Sequence, residues 1–229
     1  MAKTVPPPWK IGLTIFLAGC AVFALFTASV IGQGHLAHLD QDLAQSMQNY
    51  AENHRLVSNM LGRMTLLGSM VGLTCLALAG AAWQWLRGRR WLAIGWLVAA
   101  LLGSLINYTI KEVIDRDRPP RAWRDQAVFE DNESFPSGHS MGGTIGLGLV
   151  AYALCLENLR RCSKVTLVAA LVLLELTIAF SRVYLRAHWC TDVIAGLTLG
   201  AAWLALCIGI LESYRKKHEP PPEGIGPAA

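Results

Sequence analysis

The chain has 229 residues, of which 53% are hydrophobic and only 16% carry a charge. Soluble domains carry about 25% charged residues, so this composition argues against an ordinary water-soluble protein. It also argues against intrinsic disorder, which requires low hydrophobicity. The net charge of +4 is too small to indicate a nucleic-acid partner. The composition therefore favours a membrane protein.

Six mostly apolar stretches follow one another, each of roughly the 20 residues that a helix needs to cross a hydrocarbon core of about 30 Å. They cover residues 11–31, 65–86, 91–110, 138–156, 165–184 and 192–211. We therefore expect an all-α polytopic membrane protein with six transmembrane helices and one membrane domain, residues 1–217. The polar, proline-rich residues 218–229 are expected to form a disordered cytoplasmic tail.

Lysine and arginine are distributed unevenly between the two sides of these spans. Counted loop by loop, 11 lie on the side of both termini and 9 on the other side. The positive-inside rule then predicts cytoplasmic termini, and a bacterial inner membrane fits the length and the charge bias. The 6 cysteines lie mostly inside or beside the spans and form no CxxC pair, so no disulfide framework or zinc site is expected.

Between the first two spans, residues 39–61 repeat apolar side chains at helical spacing. The repeating positions are Leu39, Leu43, Met47, Tyr50, Val57 and Leu61. This pattern predicts an amphipathic helix on the outer side. Such a helix either lies on the membrane surface, packs over the bundle or simply connects the two spans.

Glu175 is an isolated acid within the fifth span. Acids inside a membrane often mark a functional site. A hydrogen bond to a neighbouring helix is an equally open interpretation.

Two cations precede Pro119 at the end of the third span. Lys111 and Arg118 are seven residues apart, about two helical turns, so a helix that continues to Pro119 would project both from one face. Together they suit a phosphate group, because arginine supplies forked hydrogen bonds and lysine a point charge. The alternative is a solvated charge run in which Asp115 and Asp117 pair with the two cations.

The motif Pro136-Ser137-Gly138-His139 stands directly before the fourth span. A helix N-terminus attracts anions, because it offers unpaired backbone N–H groups and a positive dipole. Gly138 allows the backbone to approach a ligand, and Ser137 can cap the helix or donate a hydrogen bond. His139 would then stand beside the anion. The alternative is an N-cap followed by an interfacial histidine.

A third polar cluster, between the fifth and sixth spans, contains Arg182, His188 and Asp192. His188 and Asp192 are four residues apart, one helical turn, so the carboxylate can accept a hydrogen bond from one imidazole nitrogen. That bond leaves the other nitrogen as a nucleophile. Arg182, near the end of the preceding helix, can reach the same place. The alternative is a structural His–Asp pair of the kind that is common on helices.

The six-span topology brings these three clusters to one membrane edge, on the side away from the termini. Surface charge alone does not require such convergence. The residues in order are Lys111…Arg118-Pro119, Pro136-Ser137-Gly138-His139 and Ser181-Arg182…His188…Asp192. They resemble the three-part signature of the type 2 phosphatidic acid phosphatase family, which shares its site with vanadium haloperoxidases and bacterial acid phosphatases. The resemblance holds at each defining position.

The resemblance implies a role for each of these residues. His188 would attack phosphorus in line and form a phosphohistidine, with Asp192 orienting its imidazole. His139 would protonate the leaving group and then activate the water that releases phosphate. The residues that would hold the phosphate oxygens are Lys111, Arg118, Ser137, Gly138 and Arg182. We expect no metal and no cofactor.

The resemblance implies a lipid phosphate or pyrophosphate whose tail stays in the bilayer. Undecaprenyl pyrophosphate, phosphatidylglycerol phosphate and phosphatidic acid are the candidate substrates. The alternative within the same chemistry is a phosphotransferase that passes the phosphoryl group to another lipid. An anion-binding transporter is the alternative of another class, disfavoured because Glu175 is almost the only ionisable residue in the spans. The sequence does not indicate an oligomeric state.

Overall fold

The computed structural model describes residues 6–32, 34–126, 128 and 130–218. Eight α-helices occur within these ranges: α1 (Pro8–Ile31), α2 (His35–Asn53), α3 (Arg55–Met64), α4 (Met70–Leu86), α5 (Arg90–Ile114), α6 (Gly138–Leu156), α7 (Arg161–Tyr184) and α8 (Cys190–His218). A short 3-10 helix, Thr65–Gly68, precedes α4. The all-α class is therefore confirmed. The expected tail, apart from residue 218, lies outside the described residues.

Within the described ranges, 5 helices are long and apolar enough to cross a membrane, namely α1, α5, α6, α7 and α8. The expected second span, 65–86, is not one straight helix. Its helical part α4 has 17 residues and is bent by 48° from the preceding segment Arg55–Gly68. The bend occurs at Ser69, whose backbone is extended and whose hydroxyl caps the new helix by accepting the N–H of Gly72. The two pieces together form the sixth candidate span.

The expected amphipathic helix over residues 39–61 is in fact two helices, α2 and α3. They separate at His54, whose backbone angles (φ −129°, ψ 52°) leave the helical region and whose imidazole stacks on Tyr50. Both helices pack over the bundle, α2 against α7 and α8 and α3 against α7. Packing over the bundle, one of the arrangements that the sequence left open, is therefore observed.

The buried face of α2 coincides only in part with the apolar face that the sequence indicates, since Leu43 and Met47 pack against buried side chains. Leu39 and Tyr50 are exposed, while Asp40, Ala44 and Ala51 are buried. The small side chains of the two alanines allow the helix to approach the bundle closely. A carboxylate therefore faces the interior beside the apolar side chains of Leu43 and Met47.

The main core lies between α5, α6 and α8, where Trp96, Met141 and Leu149 are almost completely buried. Close approach of α8 to the start of α6 depends on Gly196, since a Cβ added there would lie 2.6 Å from the Ser137 carbonyl oxygen. In the neighbouring part of the bundle, the Thr144 hydroxyl of α6 donates to the Glu175 carboxylate of α7 at 3.2 Å. Glu175 thus makes an interhelical hydrogen bond, which was one of the two roles that the sequence left open for it.

The helix termini form two groups, one at each end of the bundle. Beyond the C-terminus of α6, Glu157 pairs with Arg87 at 2.6 Å and with Arg89 at 2.7 Å. Near the C-terminus of α8, the Ser213 hydroxyl accepts the N–H of Trp9 at 2.9 Å. The first and last helices therefore meet at the end of the bundle opposite the starts of α6 and α8. The polar motifs lie at those starts.

Candidate active site

The helix that carries Lys111 ends earlier than expected. Asp115 adopts a left-handed backbone conformation (φ 46°), and its N–H bonds to the Lys111 carbonyl oxygen at 2.9 Å, which ends α5 there. Arg118 therefore lies in the following loop, and the predicted shared helix face is wrong. Its side chain nevertheless turns inward and donates to the Asn132 carbonyl oxygen at 2.6 Å, while the Lys111 ammonium donates to the Glu133 carbonyl oxygen.

These two cations do not form a solvated charge run. Lys111 is 5% exposed and Arg118 is 9% exposed. Burial lowers the pKa of the Arg118 guanidinium to about 10, so the group stays charged at neutral pH. One buried positive charge in the last turn of α5 and another in the following loop are costly without anionic partners, which favours an anion-binding role.

The Pro136–His139 motif forms the N-terminus of α6, as expected. Ser137 is the N-cap, and its hydroxyl accepts the N–H of Ser140 at 3.4 Å. Gly138 is the first helical residue, and His139 follows in the first turn. The His139 imidazole lies against Gly68 of the 3-10 helix, where an added Cβ would come within 3.1 Å of its Cδ2 atom. The bend before α4 thus brings the 3-10 helix next to this histidine.

His188 lies in the turn between α7 and α8, and its backbone N–H donates to the Arg182 carbonyl oxygen at 3.1 Å. Its Nδ1 is 3.4 Å from the Asp192 carboxylate, and its Nε2 is 3.1 Å from a guanidinium nitrogen of Arg118. Burial, reinforced by the charges of Arg118 and Arg182, lowers the pKa of His188 well below its ordinary value. The imidazole is therefore neutral at neutral pH, and one of its ring nitrogens carries a lone pair instead of a proton.

The predicted His–Asp contact is present, but its geometry is looser than the pattern implies. Within the described ranges, Nδ1 of His188 has no hydrogen-bond partner. Asp192 instead accepts the Trp189 N–H at 2.9 Å and a hydrogen bond from Arg116. The Trp189 N–H and Arg116, and not the histidine, thus hold the carboxylate beside His188.

Arg182, at the end of α7, is 2% exposed. One guanidinium nitrogen donates to the Thr65 hydroxyl at 2.9 Å, and the other reaches both carboxylate oxygens of Glu130 at 2.7 Å. Glu130 also lies 3.8 Å from Nε2 of His139 and 4.0 Å from a guanidinium nitrogen of Arg118. A carboxylate therefore occupies the space between two of the cations and His139.

Glu130 is an anion in this environment. Burial by itself would raise the pKa of its carboxyl group, but the surrounding charges, that of Arg182 first, hold the pKa below its ordinary value. The oxygen atoms of Glu130 lie where an anionic ligand of Arg182 and Arg118 would place its own oxygens. The site can therefore hold an anionic group at this position.

Four polar residues of the site are absent from the sequence prediction: Asp40, Thr65, Arg116 and Glu130. Thr65 falls inside an apparent membrane span, and Asp40 falls on an apparent surface helix. Glu130 has no spacing relation to any motif. Of the four, only Arg116 could have been found from the sequence, since it lies within the segment that connects Lys111 to Arg118. The described residues contain no group of three or more His, Cys, Asp or Glu side chains that could hold a metal ion.

An apolar groove of about 380 Å³ lies between α4, α6 and α7. Its lining includes Leu67, Leu73, Leu147 and Ile178. Leu67 precedes Gly68, and a Cβ added at Gly68 would lie 2.5 Å from Ile178. One lining residue of the groove, Leu67, therefore belongs to the segment that contacts His139.

The comparisons with known proteins concern the family and the fold of the chain. The model of the PAP2 superfamily matches residues 92–215, a range that includes all of the predicted site residues. Phosphatidylglycerophosphatase B of Bacillus subtilis (strain 168) is 36% identical over 126 residues, which cover 53% of this chain and 60% of that protein. Lipid A 1-phosphatase of Rhizobium johnstonii is 33% identical over 129 residues, or 53% of this chain and 48% of that protein.

A putative undecaprenyl-diphosphatase, YbjG of Escherichia coli (strain K12), is 31% identical over 126 residues, covering 54% of this chain and 59% of that protein. The chain thus spans between 48% and 60% of the length of these three relatives. Among solved structures, the transmembrane PAP2-type phosphatidylglycerolphosphate phosphatase of Bacillus subtilis matches with a TM-score of 0.78 at 24% identity. That match covers 85% of this chain and 94% of the other, and it shows a common fold.

Proposed function

The chain belongs to the PAP2 superfamily, and from this premise we propose that it is an integral membrane phosphatase that hydrolyses a lipid phosphate or pyrophosphate. One observation carries the proposal: neutral, buried His188 stands between the Asp192 carboxylate and the Arg118 guanidinium. A nucleophilic nitrogen beside a phosphate-binding cation, with a carboxylate behind it, is the arrangement that attack on phosphorus needs.

In the proposed first step, Nε2 of His188 attacks phosphorus, an N–P bond forms, and the bond from phosphorus to the leaving oxygen breaks. Asp192 stabilises the positive imidazole ring that results. Lys111, Arg118 and Arg182 neutralise charge on the three equatorial oxygens. Positioning and charge stabilisation of this kind account for most of the catalysis in phosphoryl transfer.

The N-terminus of α6 supplies the remaining contacts in the proposed site. Its backbone N–H groups, that of Gly138 first, bind a phosphate oxygen, while Ser137 caps the helix and holds its start in place. His139 donates a proton to the leaving oxygen and then removes one from the water that cleaves the phosphohistidine. Such general acid–base help is typically worth about 10²–10⁴-fold in rate.

The apolar groove supports a lipid as the substrate. Its lining residue Leu67 adjoins Gly68, which lies against His139, and we propose that a chain attached to the leaving oxygen lies in this groove. We further propose that the membrane is a bacterial inner membrane with cytoplasmic termini, so that the site faces the outer side. The loop-by-loop count of Lys and Arg supports that orientation.

The first test is phosphate release by the purified, detergent-solubilised protein in excess EDTA. We expect turnover of at least one of undecaprenyl pyrophosphate, phosphatidylglycerol phosphate and phosphatidic acid, because the proposed chemistry needs no metal. The ranking of the three lipids then identifies the preferred head group. Phosphate release that EDTA abolishes and Mg²⁺ restores would contradict the mechanism. A folded protein that releases phosphate only after an acceptor lipid is added would be a phosphotransferase.

A second prediction concerns Glu130, whose carboxylate occupies the place proposed for the phosphoryl group. Orthovanadate mimics the pentacoordinate transition state, so it must displace this carboxylate. A full charge 4 Å away is worth about 4 kcal/mol at an effective dielectric constant of about 20. We therefore expect Glu130→Gln to lower the inhibition constant of vanadate by about tenfold or more.

The matched control for this experiment is Asp131→Asn, which removes a neighbouring charge that pairs with Arg121 on the surface. Vanadate inhibition of the control should equal that of the wild type. An unchanged or increased inhibition constant in Glu130→Gln would show that this carboxylate does not compete with the phosphoryl group.

A further inference from the structure

Asp40 lies on α2, outside the candidate membrane spans and outside the range 92–215 that the family shares. It is nevertheless only 3% exposed. Its carboxylate accepts the Thr191 N–H at 3.0 Å and also the Thr191 hydroxyl. The same carboxylate accepts a hydrogen bond from Arg116 at 2.9 Å. All of these contacts lie next to Asp192, because Thr191 precedes it in the chain and Arg116 also donates to its carboxylate.

Arg116 connects the two carboxylates. Its Nη2 pairs with Asp40, while its Nη1 donates to Oδ1 of Asp192 and, at 2.8 Å, to the Thr191 hydroxyl. Oδ2 of Asp192 is therefore left for the Trp189 N–H and for the side that faces His188. The guanidinium group is shared, one nitrogen for each carboxylate.

This sharing matters because a guanidinium group tends to bind one carboxylate with two parallel hydrogen bonds. If both nitrogens of Arg116 turned to Asp192, they would engage both of its oxygens. Oδ2 would then be drawn away from His188, and the carboxylate would become a weaker partner for the imidazole ring. Asp40 prevents this by holding the second nitrogen.

We propose that Asp40 is a positioning residue for catalysis, which acts through Arg116 and keeps Asp192 directed at His188. This inference rests on the proposed function, since it assumes that His188 and Asp192 act as assigned there. It gives α2 a role beyond connecting two spans: the helix carries the carboxylate that completes an Asp40–Arg116–Asp192 chain. Other ionisable groups near the chain are the neutral imidazole of His188 and, further along the site, the cations Lys111 and Arg118.

The experiment compares Asp40→Asn with Asp42→Asn, which removes an exposed carboxylate from the same helix. Asparagine keeps the shape of Asp40 and an oxygen for the Thr191 N–H, but it loses the charge that holds Arg116. We expect kcat to fall about tenfold or more in Asp40→Asn with KM within about twofold of the wild type. Asp40→Glu, which retains the charge, should recover part of the lost kcat. Asp42→Asn should behave as the wild type.

A double-mutant cycle separates positioning from simple docking of α2. If Asp40 acts through Arg116, then Asp40→Asn causes no further loss of kcat in an Arg116→Gln background. Independent, multiplicative losses would overturn the proposal, and so would a wild-type kcat in Asp40→Asn. Should Asp40→Asn not fold, Arg116→Lys takes its place. Lysine is a point charge that cannot bridge both carboxylates, so an unchanged kcat in Arg116→Lys would overturn the proposal.

Failure of the proposed function has a different signature. Asp192→Asn should lose most of its activity if the assignment of His188 and Asp192 is right. Full activity in Asp192→Asn would refute the proposed function itself. Loss of activity in Asp192→Asn, with normal kcat in Asp40→Asn, would refute only the role of Asp40.

Discussion

Replacing His188 by alanine is expected to lower kcat for lipid phosphate hydrolysis by roughly 10⁴-fold or more, the scale of loss when a covalent nucleophile is removed. The imidazole is buried, neutral and 3.1 Å from the Arg118 guanidinium, and alanine supplies no nucleophile in its place. The measurement is phosphate release from the preferred lipid, with protein concentration and detergent held constant. Wild-type protein quenched in alkali should carry a phosphoryl group that acid removes, as phosphohistidine does, and the variant should carry none.

The matched control is His35→Ala, which removes an exposed imidazole at the start of α2. It should retain wild-type kcat and the same phosphoenzyme signal. Substantial turnover by His188→Ala, or a phosphoryl group that resists acid, would mean that another residue is the nucleophile. The elution volume in gel filtration and the Tm in detergent distinguish a folded inactive variant from an unfolded one.

The second large effect is expected from Arg182→Gln, which should reduce kcat by about 10²–10³-fold, the usual cost of losing one donor to a developing negative charge. Arg182 is buried and binds Thr65 with one nitrogen and the Glu130 carboxylate with the other. Glutamine removes the positive charge and leaves Glu130 without its nearest partner. Both changes disfavour a phosphoryl group in the site.

Arg182→Lys tests the geometry separately from the charge. Lysine restores the charge, yet it lacks the planar fork that reaches Thr65 and the anion together, so we expect only partial recovery of kcat. Arg63→Gln removes an exposed cation on α3 and should leave kcat unchanged. If Arg182→Gln lowered only the Tm and left kcat intact, the role of Arg182 would be structural and not catalytic.

The three polar motifs could be found in the sequence because each is local. Ser137, Gly138 and His139 adjoin the start of an apolar span, and helix ends have known capping and charge preferences. Arg182 and Asp192 likewise adjoin the end of one apolar span and the start of the next. Six apolar runs were enough to bring the motifs to one end of the bundle, because consecutive spans alternate in direction.

Details of the backbone were harder to predict, because they depend on single residues. The left-handed conformation of Asp115 ends α5 four residues after Lys111, and no periodicity in the sequence signals it. The break at Ser69 divides an apolar run that reads as one span. This break matters for the site, since it places Thr65 against Arg182 and Gly68 against His139.

The sequence by itself determined the membrane class, the order of the apolar helices and the local motifs, since apolar periodicity and helix termini are properties of neighbouring residues. Only the tertiary structure decided that Asp40 and Glu130 belong to the site. Asp40 is 151 residues from Thr191, which it contacts, and Glu130 is 52 residues from Arg182. Such pairings depend on how helices and loops pack in three dimensions, and a buried carboxylate on a polar helix has the same sequence pattern as an exposed one.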